Sequence, residues 1–391
     1  MRVVGVVAEY NPFHRGHAHH LQTARRLAGA DAVVAVMSGC FVQRGDAALL
    51  SPGVRARMAL SAGADAVILL PCLWSVRDAE HFALGGVSLL SSLGVDAISF
   101  GAETADKACL RQAAHLMEHP PEIFSAQIKT HLAAGLPYPA AVSRASAAVL
   151  PEFESLLQSP NNTLAVCYLR AMMRLQSSMD VFPVQREGSY NATALADTLP
   201  SATAVRGAML RGDWPHACAA LPDSCVPLLL AEAAAGRAQA PNALSQALLY
   251  RLHSMDEAAW ATLPGLSEGL EDRLRAAARI CRDRESLLSA AKTRRYPRAR
   301  LSRLCTHALL GITQNDLEET PLPPAALVLG IRRGSEKLLS HLSTGRIPLL
   351  TRTADFPHAR WLDIESLAWD LWGLPAGMET GMLYRQGLIR E

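Results

Sequence analysis

At 391 residues, half of them apolar and 19% charged, the chain is longer than one compact core normally holds, so two domains are expected. No segment has the run of about 18 apolar residues needed to cross a bilayer, and the first apolar run meets Glu9 too soon for a signal-peptide core. A net charge of +2 excludes a wholesale nucleic-acid coat but permits a local basic patch.

The chain opens on Val3, Val4, Val6 and Val7, a short β-branched run expected of a strand buried on both faces of a parallel sheet. Asn11-Pro12 stops it, because proline removes a donor and biases its predecessor away from helix. His14-Arg15-Gly16-His17 follows, with Leu21, Ala24 and Leu27 at helical spacing. The reading is strand, tight turn and helix, with two imidazoles at the helix start. A helix N-terminus offers unpaired N–H groups and partial positive charge, so it suits a phosphate. The histidines add directed donors there, and Gly16 permits close approach to the backbone.

A second strand is expected over residues 31–37, ending in a polar loop that carries Gln43 and Arg44. In a parallel sheet that loop lies on the ligand-binding edge; a solvated loop is an equal alternative. The next helix, over residues 54–62, should turn Arg55 and Arg57 outward and Met58 inward. Strands follow at residues 65–71 and 95–100, separated by a helix over 78–93. Strands alternating with helices indicate a doubly wound α/β sheet. Gly101, just past the fourth strand, lies at the same edge.

Residues 104–158 read as helical pieces broken at Pro120-Pro121 and Pro137. Ser159-Pro160-Asn161-Asn162-Thr163 opens another helix, with Asn162 as its expected cap. A fifth strand at 181–185 ends in Arg186, well placed for an anion. Ser201 reads as the cap of a short helix. Its hydroxyl, that of Thr203, and Arg206 one turn on would make a second phosphate cradle.

From about residue 216 the alternation stops, and helical spacing covers 228–235, 244–253, 270–291 and 301–310. We expect a nucleotide-binding domain over residues 1–215 and a mostly helical one over 216–391. Lys292, Arg294, Arg295, Arg298, Arg300 and Arg303 cluster with Tyr296 in a window free of acidic residues. Clustered cations with an aromatic suit an RNA backbone and an unstacked base, and equally a solvated basic helix end. The eight cysteines form no Cys-x-x-Cys pair, so they read as buried thiols of a cytoplasmic protein rather than zinc ligands or disulfides.

Histidines and a hydroxyl–arginine cradle around a nucleotide imply attack at an α-phosphate, with fixed donors where charge develops. No protein nucleophile is needed. Magnesium is expected with the triphosphate, held largely by phosphate oxygens and water, without a dedicated protein metal site.

The pair His14-Arg15-Gly16-His17 and Ser201-Ala202-Thr203-Ala204-Val205-Arg206 resembles the two phosphate motifs of the nucleotidylyl-transferase superfamily. Together with residues 9–17, residues 37–45, Ser159-Pro160-Asn161-Asn162-Thr163 and residues 292–300, it looks like the bacterial tRNA(Met) cytidine acetate ligases. The resemblance spans nearly the whole chain, thinning between residues 215 and 270 and after about 345. It implies a Rossmann-like nucleotidylyltransferase fold with a helical C-terminal domain. The implied enzyme activates acetate with ATP as acetyl-adenylate, then acetylates the wobble cytidine of elongator tRNA(Met). By the same resemblance ATP is held by Val7-Ala8-Glu9-Tyr10-Asn11-Pro12-Phe13-His14-Arg15-Gly16-His17-Ala18-His19-His20, with Gly101, Asn161, Asn162, Arg186, Ser201 and Thr203. His14, His17, Thr203 and Arg206 would carry catalysis, and Lys292, Arg294, Arg295, Tyr296, Arg298 and Arg300 would hold tRNA. Cys40 departs from the family, where asparagine is expected. Two competing readings are an adenylyltransferase joining AMP to a small phosphorylated metabolite, and a non-catalytic RNA-binding protein.

Overall fold

A computed structural model describes residues 1–186, 201–266 and 269–391. The first strands form where the apolar runs lie: β1 is Val3–Ala8, β2 Ala32–Ser38, β3 Ala66–Leu70, β4 Ala97–Ala102 and β5 Asp180–Gln185. All five pair in parallel, in the order β5-β4-β1-β2-β3. β2 and β3 are buried along their whole length, which explains their uninterrupted apolar sequence. Chain order reverses across β1, so the crevice beyond the carboxyl ends of β1 and β4 is the switch point where such sheets take ligands.

The reading of residues 216–391 as helical needs amendment. β6 (Ala326–Ile331) returns to the sheet and runs antiparallel to β3, with β7 (Leu349–Leu350) and β8 (Ile389–Arg390) beside it. Asp65, 2% exposed, anchors the return: it accepts from the Val33 N–H at 2.7 Å and pairs with Arg25 and Arg332. The periodicity of 326–331 is that of any short apolar run, and its partner lies some 260 residues earlier in the chain. Helix Arg360–Gly373 packs behind the sheet through Trp361, Trp369 and Trp372.

The helical region has its own core, built from helices Ser245–Ser254, Leu270–Ile280, Arg284–Ala291 and Arg298–Leu310. The span expected as one helix over 270–291 is broken before Asp283, whose side chain caps the second piece. This region docks on the loop after β2. Arg284 pairs with Asp46 at 2.8 Å and donates to the Gly45 carbonyl; Thr306 Oγ1 donates to that carbonyl at 2.6 Å. Gly45 is required twice over. Its φ is +81°, and an added Cβ would meet the backbone of Ser302 and Arg303 at 2.7 Å.

Candidate nucleotide cleft

The first helix, Arg15–Ala28, starts directly off β1, so its N-terminus faces the switch-point crevice. Asn11-Pro12 is cis, and Tyr10 has φ 49°. Tyr10 and Phe13 are buried and pack edge-on at 4.7 Å beneath the histidines. His14 caps the helix, with its ring stacked on that of His17 at 3.7 Å. The His14 N–H donates to His17 Nδ1 at 3.2 Å. That bond fixes the tautomer: the neutral imidazole of His17 carries its proton on Nε2, as a donor. His20, one turn on, reaches Ser99 Oγ on β4 at 3.1 Å and ties the helix to the neighbouring strand.

The second cradle lies against the first. Helix Ala202–Leu210 is capped by Ser201, whose hydroxyl accepts from the Ala204 N–H at 3.1 Å. The Arg206 guanidinium donates to the Asn11 carbonyl and, at 3.2 Å, to Thr203 Oγ1. Arg186 packs against Gly101, where an added Cβ would lie 3.1 Å from the arginine side chain. The cleft is thus histidine-rich and doubly cationic. Burial, then the charges of Arg186 and Arg206, push the His14 imidazole down to about 3. Burial, His14 and Arg186 hold His17 well below the usual range. Burial, then Arg186, takes His20 down to about 4.

All three are therefore neutral at pH 7. Unfolded histidines take up protons below about pH 6.5 whereas these do not, so their contribution favours the unfolded chain progressively as pH falls towards 3–4. NMR titration of the imidazole resonances should show His14 and His20 still neutral at pH 5. A midpoint near 6.5 for either would contradict the burial and cationic surroundings assigned to it.

Glu9 stands at the carboxyl end of β1. Its Oε1 accepts from the Gln43 N–H at 2.8 Å, and burial raises its carboxyl against the opposing pull of that bond, Arg206 and Arg44. Gln43 and Arg44 therefore border the cleft. Arg55, expected outward, is wholly buried instead. It donates to the carbonyls of Glu9, Ser38, Gly39 and Leu50, bracing the turns after β1 and β2 from below. Arg57 is exposed as expected. The amphipathic period was legible, but a guanidinium recruited by four carbonyls from three segments has no local signal. Ser99 was also missed; a hydroxyl in the apolar run of β4 was its signal.

Other expected site residues are placed differently. Arg15 turns out of the cleft: its N–H donates to the Ala220 carbonyl, and its guanidinium to Leu221 O and Asp223. His19 is exposed and lies 3.4 Å from Thr23 on the same helix. Asn162 is not the helix cap; Ser159 holds that position. Asn162 Oδ1 instead accepts from the Thr104 N–H at 2.9 Å, and Asn161 Nδ2 donates to Glu103 at 2.6 Å. Both asparagines thus bind the end of β4, beside Gly101. Cys40 is buried under the loop near Arg55 and Glu365, with its thiol pushed well up by burial.

In the basic segment, Lys292, Arg294 and Arg295 are exposed. Arg298 pairs with Glu285 at 2.5 Å, and Arg300 donates to the Gly265 carbonyl at 2.8 Å. Tyr296 corrects the expectation of an open stacking ring. It is buried in the helical core, with the Arg295 and Arg300 guanidinium groups 5.6 and 5.5 Å from its ring centre. Among the described residues no three His, Cys, Asp or Glu side chains form a metal-binding group, and no helix is long and apolar enough to cross a membrane. The eight cysteines are free thiols.

Similarity to known proteins extends over nearly the whole chain. The model of the HIGH Nucleotidyl Transferase family matches residues 1–381. The tRNA(Met) cytidine acetate ligase of Acetivibrio thermocellus is 33% identical, covering 100% of both chains. That of Bacillus licheniformis is 36% identical over 94% of this chain and 91% of its own. Crystal structures of Thermotoga maritima TmcAL superpose over 100% of both chains at 26% identity: the apo form at a TM-score of 0.92, and a form bound with alpha-thio ATP at 0.90.

Proposed function

This chain belongs to the HIGH nucleotidyl transferase family, among its tRNA(Met) cytidine acetate ligases, and from that premise we propose that it is an ATP-dependent ligase that joins acetate to a cytidine of tRNA(Met). The observation that carries the reading is the bond from Arg206 to the Asn11 carbonyl. It brings the late hydroxyl–guanidinium clasp against the His14–His17 turn, as a shared triphosphate site requires.

The chemistry runs in two steps. An acetate oxygen attacks the α-phosphorus of ATP and pyrophosphate leaves, giving acetyl-adenylate. The exocyclic amine of the wobble cytidine in elongator tRNA(Met) then attacks the acetyl carbonyl, AMP leaves, and the amine gives up one proton to solvent. His17 and His14 donate as neutral groups to phosphate oxygens, while Arg206 and Arg186 offset the charge that develops on them. Their fixed placement supplies this without reorganisation. The β1 end, Gly101 and the asparagine pair frame the rest of the nucleotide. Magnesium would accompany the phosphates; Glu9 is the cleft carboxylate near them, and an ion held mainly by phosphate and water needs no more. Residues 1–215 would hold ATP and the helical part of 216–391 the tRNA, in a reducing, cytoplasmic setting that suits eight free thiols.

Treating tRNA with the protein, ATP and acetate, and then analysing its nucleosides by mass spectrometry, should yield N4-acetylcytidine. Exchange of labelled pyrophosphate into ATP should require acetate; acetate-independent exchange would favour the adenylyltransferase reading. Charge reversal at Arg294 and Arg295 together should weaken tRNA binding and lower its salt slope by about two, one for each lost phosphate contact. Unchanged affinity in a filter-binding titration would move the RNA site elsewhere.

A further inference from the structure

A second cavity, about 640 Å³, lies outside the nucleotide cleft, between residues 76–81 and helix Arg298–Leu310. Four arginines line it: Arg77, Arg295, Arg300 and Arg303. Arg303 is within electrostatic reach of Arg77, Arg300 and Arg44, with Asp78 as the opposing charge, and burial pushes the guanidinium groups of both Arg77 and Arg303 down. Like charges crowded into a half-buried groove are unfavourable until an anion enters it.

A further observation narrows the anion to a nucleotide. Tyr138 lies at the rim with 59% of its surface exposed, open as Tyr296 is not. His307 forms part of the floor and is 6% exposed. Its Nε2 lies 2.7 Å from the Val76 carbonyl and so carries the proton; Nδ1, the acceptor, is closed off from the groove and has no partner among the described residues.

The groove also adjoins the cleft. Gln43 spans the two, with its N–H on Glu9 at 2.8 Å and its Nε2 on the Arg77 carbonyl at 3.0 Å.

We propose that this groove holds an unstacked nucleotide of the tRNA loop next to the reactive cytidine, with its phosphates on Arg77, Arg295, Arg300 and Arg303 and its base face on Tyr138. The inference rests on the ligase reading and adds a base-binding site to it. RNA loops are recognised by splaying bases onto aromatic faces, with arginines tracking the backbone. Splaying a neighbour would also free the target cytidine to enter the cleft.

The test is fluorescence anisotropy with a labelled anticodon stem-loop of elongator tRNA(Met), using the full-length protein. Tyr138→Ala should raise Kd about tenfold, the scale of one lost base–aromatic stack. Arg77→Ala and Arg303→Ala should each lower the slope of log K against log salt by about one. Tyr250→Ala removes a tyrosine that is 75% exposed and outside the groove, and should change neither quantity. Circular dichroism checks that each variant is folded. Native spectra with unchanged Kd and slope in the groove variants would overturn the proposal, as would an equal loss in Tyr250→Ala. Acetate-dependent pyrophosphate exchange by the unaltered protein tests the parent reading separately, because that half-reaction needs no RNA.

Discussion

Replacing His17 with alanine is expected to lower acetate-dependent pyrophosphate exchange by about two to three orders of magnitude, the scale of losing one preorganised donor to a developing charge. The size follows from the site. His17 is neutral, its tautomer is set by the His14 N–H at 3.2 Å, and its ring is held between His14 and the edges of Tyr10 and Phe13. A donor held that way supplies stabilisation that mobile water cannot. The fold should survive, because the side chain accepts only one hydrogen bond from the protein and alanine favours helix. Single-turnover acetyl-adenylate formation at saturating ATP, with circular dichroism in parallel, measures both. A native spectrum with activity within threefold of the unaltered protein would remove His17 from the phosphate site. His17→Asn, which restores an N–H near the same place, should recover part of the loss.

The second large effect should appear in stability. Arg55→Met keeps the volume of the side chain but strands the carbonyls of Glu9, Ser38, Gly39 and Leu50. Each buried acceptor left without a partner costs about 1–3 kcal/mol, partly offset by removing a buried charge, so the net loss should be about 3 kcal/mol or more. Urea unfolding followed by fluorescence reads it directly. A loss below about 1 kcal/mol would mean that water reaches those carbonyls. Exchange activity should fall as well, because Arg55 holds the Glu9 carbonyl and so the turn that presents His14.

Gly45 and Arg55 illustrate how the two halves of the chain are joined. The loop after β2 receives Arg55 from below, and Arg284, Ser302 and Thr306 from the helical region above. A loop held from both sides is rigid, and Gln43 and Arg44, which it carries, reach from the nucleotide cleft towards the basic groove. The site therefore depends on docking of the helical region, not on the parallel sheet alone.

The amino-acid sequence determined whatever depends on near neighbours. The apolar runs at residues 3–8, 32–38, 66–70 and 97–102 carry their strands because a doubly covered sheet needs uninterrupted apolar side chains. The spacing of His14, Gly16 and His17 after β1 put two imidazoles on a helix start, since both lie within the first turn. Tertiary structure decided the rest, through partners far away in the chain. It turned Arg55 inward to four carbonyls, closed Tyr296 into a helical core and spent both Asn161 and Asn162 on the end of β4. It also brought β6 back antiparallel beside β3. Side-chain period fixes which residues can share a face; which face finds carbonyls, carboxylates or solvent is set only when distant segments meet.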